Sequence, residues 1–146
     1  MAASMSERIR SDLNDARRAR DRLRVTLLTT VLSEVRNKEI ELGRPARDED
    51  VIDVVTRAVK RRHEAAEQMR AGGRTDLADK EEQEAELLGS YLPAPLTEDD
   101  VRALVREARA SGADSLGAVM GSIMPRLRGR FDGKEANRIV REELGA

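Results

Sequence analysis

Residues 91–96, Tyr91-Leu92-Pro93-Ala94-Pro95-Leu96 (YLPAPL), divide this chain. Neither proline can continue a helix, and each pushes the residue before it toward extended backbone. Helical patterns lie on both sides, so the stretch reads as a short, stiff break between two modules with a limited range of orientations. The expected boundaries are an N-terminal helical domain over 1–92, a linker over 93–96 and a C-terminal domain over 97–146.

Upstream of the break, caps and a 3.6-residue apolar period mark four helices. The first, 4–20, opens at Ser4 with Glu7 three positions on as a capping box. Its apolar content is thin, Ile9, Leu13 and Ala16, so weak packing is expected. The second, 23–42, carries Leu27, Leu28, Val31, Leu32 and Val35 and stops at Gly43 and Pro45. Asp48 is the expected cap of the third, whose stripe runs from Val51 to Met69. Gly72 and Gly73 then allow a tight reversal into the fourth, 75–91, which packs through Leu77, Ala85, Leu88 and Leu92.

Downstream, Thr97 with Asp100 caps a fifth helix bearing Val101, Leu104, Val105 and Ala108. Asp114 or Ser115 caps a sixth with Leu116, Val119, Met120, Ile123, Met124 and Leu127. Asp132, with Glu135 in capping-box spacing, starts a seventh with Ala136, Ile139, Val140 and Leu144. The expected fold is all-α: a four-helix N-terminal domain followed by a C-terminal three-helix bundle.

Composition narrows the function. Charged residues make up 38% of the 146 and aromatics 1%, so the core must be built from Leu, Val, Ile, Met and Ala. The absence of cysteine excludes disulfides, a thiol nucleophile and thiolate metal sites. The run from Val25 to Leu32 is interrupted by threonines and too short to span a bilayer. The first ten residues lack the apolar segment of a secretory signal. A cytoplasmic protein without a membrane partner is the expectation. Net charge is −1, but six basic residues against two acidic ones occupy both 57–74 and 125–141, and six acidic residues against Lys80 occupy 76–86.

Two charges fall inside apolar stripes. Arg62 lies on the stripe of the third helix and Glu81 on that of the fourth. Folding these helices back at Gly72 and Gly73 brings the two together, and a buried charge is costly unless paired. An interhelical Arg62–Glu81 ion pair is expected, as a structural feature rather than a catalytic one. His63 reads as a packing or surface residue, and Lys38 and Glu39 as covering an apolar stripe with their stems.

Signatures of catalysis are missing. The chain has no G-x-x-x-x-G-K-[ST], no G-x-G-x-x-G and no G-x-S-x-G, and a single histidine cannot build a His-based metal cluster. No catalytic residue, metal or cofactor is expected. What remains is the C-terminal basic segment MPRLRGRFDGKEANRIV, residues 124–140. Lys134, Arg138 and Arg141 recur at i, i+4 and i+7, and Arg126, Arg128 and Arg130 precede them. Asp132 caps the helix and Gly129 and Gly133 frame the turn. A phosphate backbone suits this set. The scarcity of aromatics argues against stacking of single-stranded bases, whereas shape-based contact with folded RNA needs none. The plain alternative is a basic helix face that serves solubility.

Four segments carry a family resemblance: VRNKEIE (35–41), VKRRHEA (59–65), GRTDLADKEEQEAELLGSYLP (73–93) and GAVMGSIMPRLRGRFDGKEANRIVREEL (117–144). Together they resemble the GatB/YqeY family, in its small YqeY-type form rather than the large amidotransferase subunit. That subunit has a similar three-helix tail that contacts tRNA. The resemblance implies an accessory protein binding tRNA or another structured RNA, linked to tRNA-dependent amidotransferase function and translation. In that reading the phosphates are met by the basic residues already singled out, Arg126, Arg128, Arg130, Lys134, Arg138 and Arg141, helped by Lys60 and Arg61. It brings no catalytic machinery, so a carbon–nitrogen ligase activity with glutamine as amide donor belongs to the family association. Ala118 departs from a family lysine and removes one potential phosphate contact; Phe131 fills a variable turn position. The alternative is a protein-interaction module docking on an amidotransferase or another translation enzyme, with the first helix and its RRARDRLR end as the docking surface.

Overall fold

The computed structural model describes residues 4–145. It is all-α among those residues, with seven helices: α1 (Met5–Ala19), α2 (Arg22–Leu42), α3 (Asp48–Ala71), α4 (Thr75–Gly89), α5 (Glu98–Ala110), α6 (Leu116–Leu127) and α7 (Gly133–Leu144). Contacts divide the chain into two units, Met1–Leu92 and Pro93–Ala146.

In the first unit, the thin stripe of α1 is fully used. Met5, Ile9, Leu13 and Ala16 are all buried, so the expectation of weak packing is corrected. Spacing explains it: residues four apart stack on one face, and a narrow stripe is enough when two neighbours, α2 and α3, cover it. The apolar residues of a docking face are therefore already committed to the core. The capping box at Ser4 forms as read, with Ser4 accepting from the Glu7 amide at 3.1 Å. Asp48 does a different job from the one expected. Arg47 holds the cap position of α3, and the Asp48 carboxylate accepts the Met5 amide at 3.0 Å, joining the starts of two helices distant in sequence.

Between α2 and α3, Gly43 takes a left-handed φ of 69° and ends the helix. Glu39 accepts the Ala46 amide at 2.8 Å, so its carboxylate fastens this loop rather than lying idle over the stripe. Arg44 donates to Asp50 at 2.8 Å, and Asp50 also accepts the Arg47 amide at 2.9 Å. The guanidinium, and next the amide, hold the Asp50 carboxyl below the usual carboxylate range.

The reversal at Gly72 and Gly73 lays α4 along α3, with Gly73 at φ 76°. Arg62 does find an acidic partner on α4, but that partner is Glu84 (3.3 Å), not Glu81. The reason is height. Arg62 stands eleven residues before Gly73 and Glu84 eleven after, whereas Glu81 falls nearly a turn short. Both members of the pair are largely shielded, at 14% and 18% side-chain exposure, and Arg62 also donates to the Ala58 carbonyl at 2.9 Å. Leu77, expected inside, is exposed, and Ala78 takes the buried position beside it. His63 sits outside the core and meets Glu82 at 2.9 Å.

Tyr91 closes this unit. Its ring is buried against the core, its hydroxyl donates to Asp12 on α1, and the Arg8 guanidinium lies over the ring at 5.6 Å. Burial, and next the Asp12 carboxylate, push the phenol well above its ordinary value.

The second unit packs three short helices. Thr97 and Asp100 form the expected capping box on α5, and Ser115, not Asp114, caps α6. Val101, Val105, Val119, Ile123, Leu127, Ile139 and Val140 make a core that excludes solvent almost completely, with Phe131 and Leu96 packed at its edge.

Removing the carboxylate of Glu84 (Glu84→Ala) leaves a shielded guanidinium unpaired and should cost about 1–3 kcal/mol. Glu81→Ala should cost no more than about 0.5 kcal/mol, the scale of a surface change. Urea denaturation distinguishes them; equal losses would reject the Glu84 pairing. Tyr91 is the sole tyrosine, so its ionisation can be followed by phenolate absorbance. Its folded pKa is raised, so its contribution to stability is full below about pH 10 and fades as pH rises further. Absorbance should appear only together with unfolding; a midpoint near pH 10 in the folded chain would contradict the buried pair.

Candidate nucleic-acid interface

The C-terminal basic segment is built by α6, a turn and α7. Pro125 lies inside the last turn of α6, where it offers no amide to the Gly121 carbonyl. Gly129 takes φ 70°, a conformation other side chains adopt only under strain, and so permits the turn. Asp132 caps α7 by accepting the Glu135 amide at 3.3 Å. The Glu135 carboxylate itself binds Arg138. Gly133 is the first residue of α7, and a Cβ there would sit 3.7 Å from the Met124 terminal methyl, an ordinary contact.

The six basic residues of this segment play different parts. Arg130 points back along the chain: its Nε donates to the Ala94 carbonyl at 2.9 Å, while its own carbonyl accepts the Leu96 amide at 2.8 Å. It clamps the residues that lead into α5. Arg138 is committed to carboxylates, meeting Glu142 at 2.5 Å, Glu135 at 3.0 Å and Glu98 at 3.5 Å. Arg126 makes only an exposed pair with Glu107 at 3.4 Å, and Arg128 is exposed at the C-cap of α6. Arg141 leans on Asn137 at 2.7 Å. Lys134 is exposed.

Arg138 belongs to a larger network that sequence reading missed. Arg102 on α5 donates to Glu98 at 2.6 Å, Glu142 at 2.7 Å and Glu143 at 3.1 Å, and Arg109 donates to the Glu143 carbonyl at 2.7 Å. Hydrogen bonds from Arg102 hold the carboxyls of Glu98, Glu142 and Glu143 below their ordinary range, and Arg138 adds to the effect on the first two. The i,i+4 spacing of Glu98 and Arg102 was visible in the sequence; the reach from α5 to the end of α7 was not.

This network splits α7 into two flanks. At about 100° per residue, Glu135, Arg138 and Glu142 fall toward α5, while Lys134, Asn137 and Arg141 fall on the other side. Among the described residues of α7, the second flank carries no carboxylate side chain. In the first unit, Lys60 is exposed and Arg61 pairs with Glu34 at 2.8 Å. Among the described residues there is no cluster of metal-ligating side chains and no helix long and apolar enough to cross a membrane.

Two helical units with basic flanks, and no metal-ligating cluster among the described residues, define a small all-α protein. The chain belongs to the YqeY-like family, whose model, described as Yqey-like protein, matches residues 6–144. The resemblance to the GatB/YqeY family drawn from its sequence is thereby established. It is similar to the protein named altered inheritance of mitochondria protein 41, mitochondrial, from three fungi. Identity is 31% over 90 residues in Candida glabrata, covering 58% of this chain and 47% of that protein. It is 33% over 85 residues in Lachancea thermotolerans, covering 58% and 46%. It is 25% over 146 residues in Pyrenophora tritici-repentis, covering 95% and 80%. The chain thus spans about half the length of the first two relatives.

These names correct one expectation. The relatives are named as mitochondrial proteins, which overturns the reading of a cytoplasmic protein. The physical reason is that the lack of an apolar secretory segment says nothing about mitochondrial targeting segments, which are amphipathic and Arg-rich.

The network has a pH signature. Because the folded pKa values of Glu98, Glu142 and Glu143 are lowered, their contribution to stability is present above about pH 4.5 and is lost as pH falls through the folded values. Stability of the chain should therefore decline in mild acid, and Arg102→Gln should flatten that decline. An unchanged pH–stability curve in the variant would count against the network.

Proposed function

We propose that this chain is a non-catalytic accessory protein that binds structured RNA, with tRNA the ligand class, linked to tRNA-dependent amidotransferase function. In this reading, 1–92 and 97–146 are separately folding domains joined by 93–96, and the C-terminal three-helix domain meets the phosphate backbone. The observation that carries the proposal is the carboxylate-free flank of α7. Lys134 and Arg141 lie within about 20° of each other on it. Arg126 and Arg128 add exposed charge on the preceding helix and its cap. Arg138 and Arg130 then serve as positioning residues, one fastening α7 to α5 and the other fixing the turn. Lys60 and Arg61 add charge in the N-terminal unit. Family membership supports the link to amidotransferase chemistry without supplying a catalytic group here. Docking of another protein through α1 has less support, because the apolar stripe of α1 is buried.

Contact with phosphates makes binding salt-dependent, with a log–log slope of roughly −0.7 to −0.9 per phosphate neutralised. Lys134→Glu combined with Arg141→Glu should weaken tRNA binding at least about tenfold and lower that slope by about 1–2, with the melting temperature unchanged. Filter binding across a salt series measures both. Undetectable tRNA binding by the unaltered chain at low salt rejects the proposal, as does full affinity in the double variant.

A further inference from the structure

The outer face of α2 differs from the exposed faces of α1, α3, α4, α5 and α7, and shares with α6 a lack of exposed carboxylates over most of its length. Between residues 26 and 40 its exposed positions are Thr26, Thr29, Thr30, Ser33, Arg36 and Asn37, followed by Ile40. None is acidic, although the chain holds 28 carboxylate side chains; the first exposed carboxylate beyond them on α2 is Glu41, which meets Lys38 at 3.9 Å. The two glutamates of this stretch are turned to other work: Glu34 holds Arg61 at 2.8 Å and Glu39 holds the Ala46 amide at 2.8 Å. Thr30 spends its hydroxyl on the Thr26 carbonyl at 2.9 Å. The hydroxyls of Thr26, Thr29 and Ser33, the Asn37 amide and the Arg36 guanidinium are left along a face about 20 Å long.

These residues are a poor local choice for a helix. Threonine, serine and asparagine rank below the Lys, Glu and Gln that usually fill exposed helical positions. Burial does not account for them, because all are exposed. Residues that weaken their own helix without serving its packing mark a surface selected for contact. The chemistry of that contact follows from the groups present. Hydroxyl, amide and guanidinium donors bind phosphate and sugar oxygens, and the absence of carboxylates among the exposed positions of 26–40 removes repulsion there. No aromatic side chain lies on the face to stack a single-stranded base. A double-helical RNA presents phosphates and 2′-hydroxyls across a wide, shallow groove that such a face can meet by shape.

We infer that the outer face of α2 docks the ribose–phosphate backbone of a double-helical RNA segment, as a contact surface additional to the flank of α7. The inference rests on the RNA-binding reading given above and extends it to the N-terminal unit.

The test uses the full chain, a labelled RNA hairpin with an uninterrupted stem, and a DNA hairpin of the same sequence. Thr29→Glu, Ser33→Glu and Arg36→Glu together should weaken RNA-hairpin binding at least about tenfold at unchanged melting temperature. A gentler set, Thr26→Val, Thr29→Val and Ser33→Ala, keeps the shape and removes the hydroxyls. It should cut the preference for RNA over DNA at least about threefold. If both α2 variants bind like the unaltered chain while Lys134→Glu with Arg141→Glu loses binding, the α2 inference is overturned and the RNA-binding proposal stands. If the unaltered chain binds neither hairpin nor tRNA, both are overturned.

Discussion

A chain with one phenylalanine, one tyrosine and no cysteine must bury small and medium aliphatic side chains closely or not fold at all. This constraint governs the rest of the structure. Valine, alanine, leucine and isoleucine carry little area each, so every helix has to present a full stripe, and even the short stripe of α1 is taken into the core. The cost falls on the edges of those stripes, where long charged side chains take over. Arg62 with Glu84 seals the α3–α4 seam, and Arg102 with its three glutamates seals that between α5 and α7.

That division of labour also decides which cations are left for a ligand. An arginine held by two or three carboxylates presents a neutralised group to solvent, so local charge in the sequence overstates local charge on the surface. Arg138 is the clearest case. It shares a wheel face with Lys134 and Arg141, yet the carboxylates around it turn that side of α7 into a helix–helix fastening. Arg130 is diverted in another way, by a backbone carbonyl. Lys134 and Arg141 remain turned away from the network, and between residues 26 and 40 α2 exposes no carboxylate because Glu34 and Glu39 are engaged elsewhere.

Much of the fold was legible because it is local. Capping residues such as Ser4, Thr97, Ser115 and Asp132 act within three positions of themselves, and glycines at 43, 73 and 129 mark backbone shapes that side chains resist. Asp48 was misread for the same reason: it has the composition of a cap, but the amide that it satisfies belongs to α1, which is far away in sequence. Periodicity places Glu81 on the inward face and so points to it as the partner of Arg62, whereas the meeting height depends on where the α3–α4 reversal turns, and that height selects Glu84. The α7 face was legible as basic; that its other flank is fastened to α5 through Arg102 and Glu98 became visible only in the fold.

The amino-acid sequence by itself determined seven helices, the caps of α1, α5 and α7, the proline break and membership in the YqeY-like family, because these depend on side-chain periodicity and short-range backbone chemistry. Only the tertiary structure decided which charges pair. An ion pair requires two groups at the same height and on facing sides of different helices, a condition that no spacing along one helix can express.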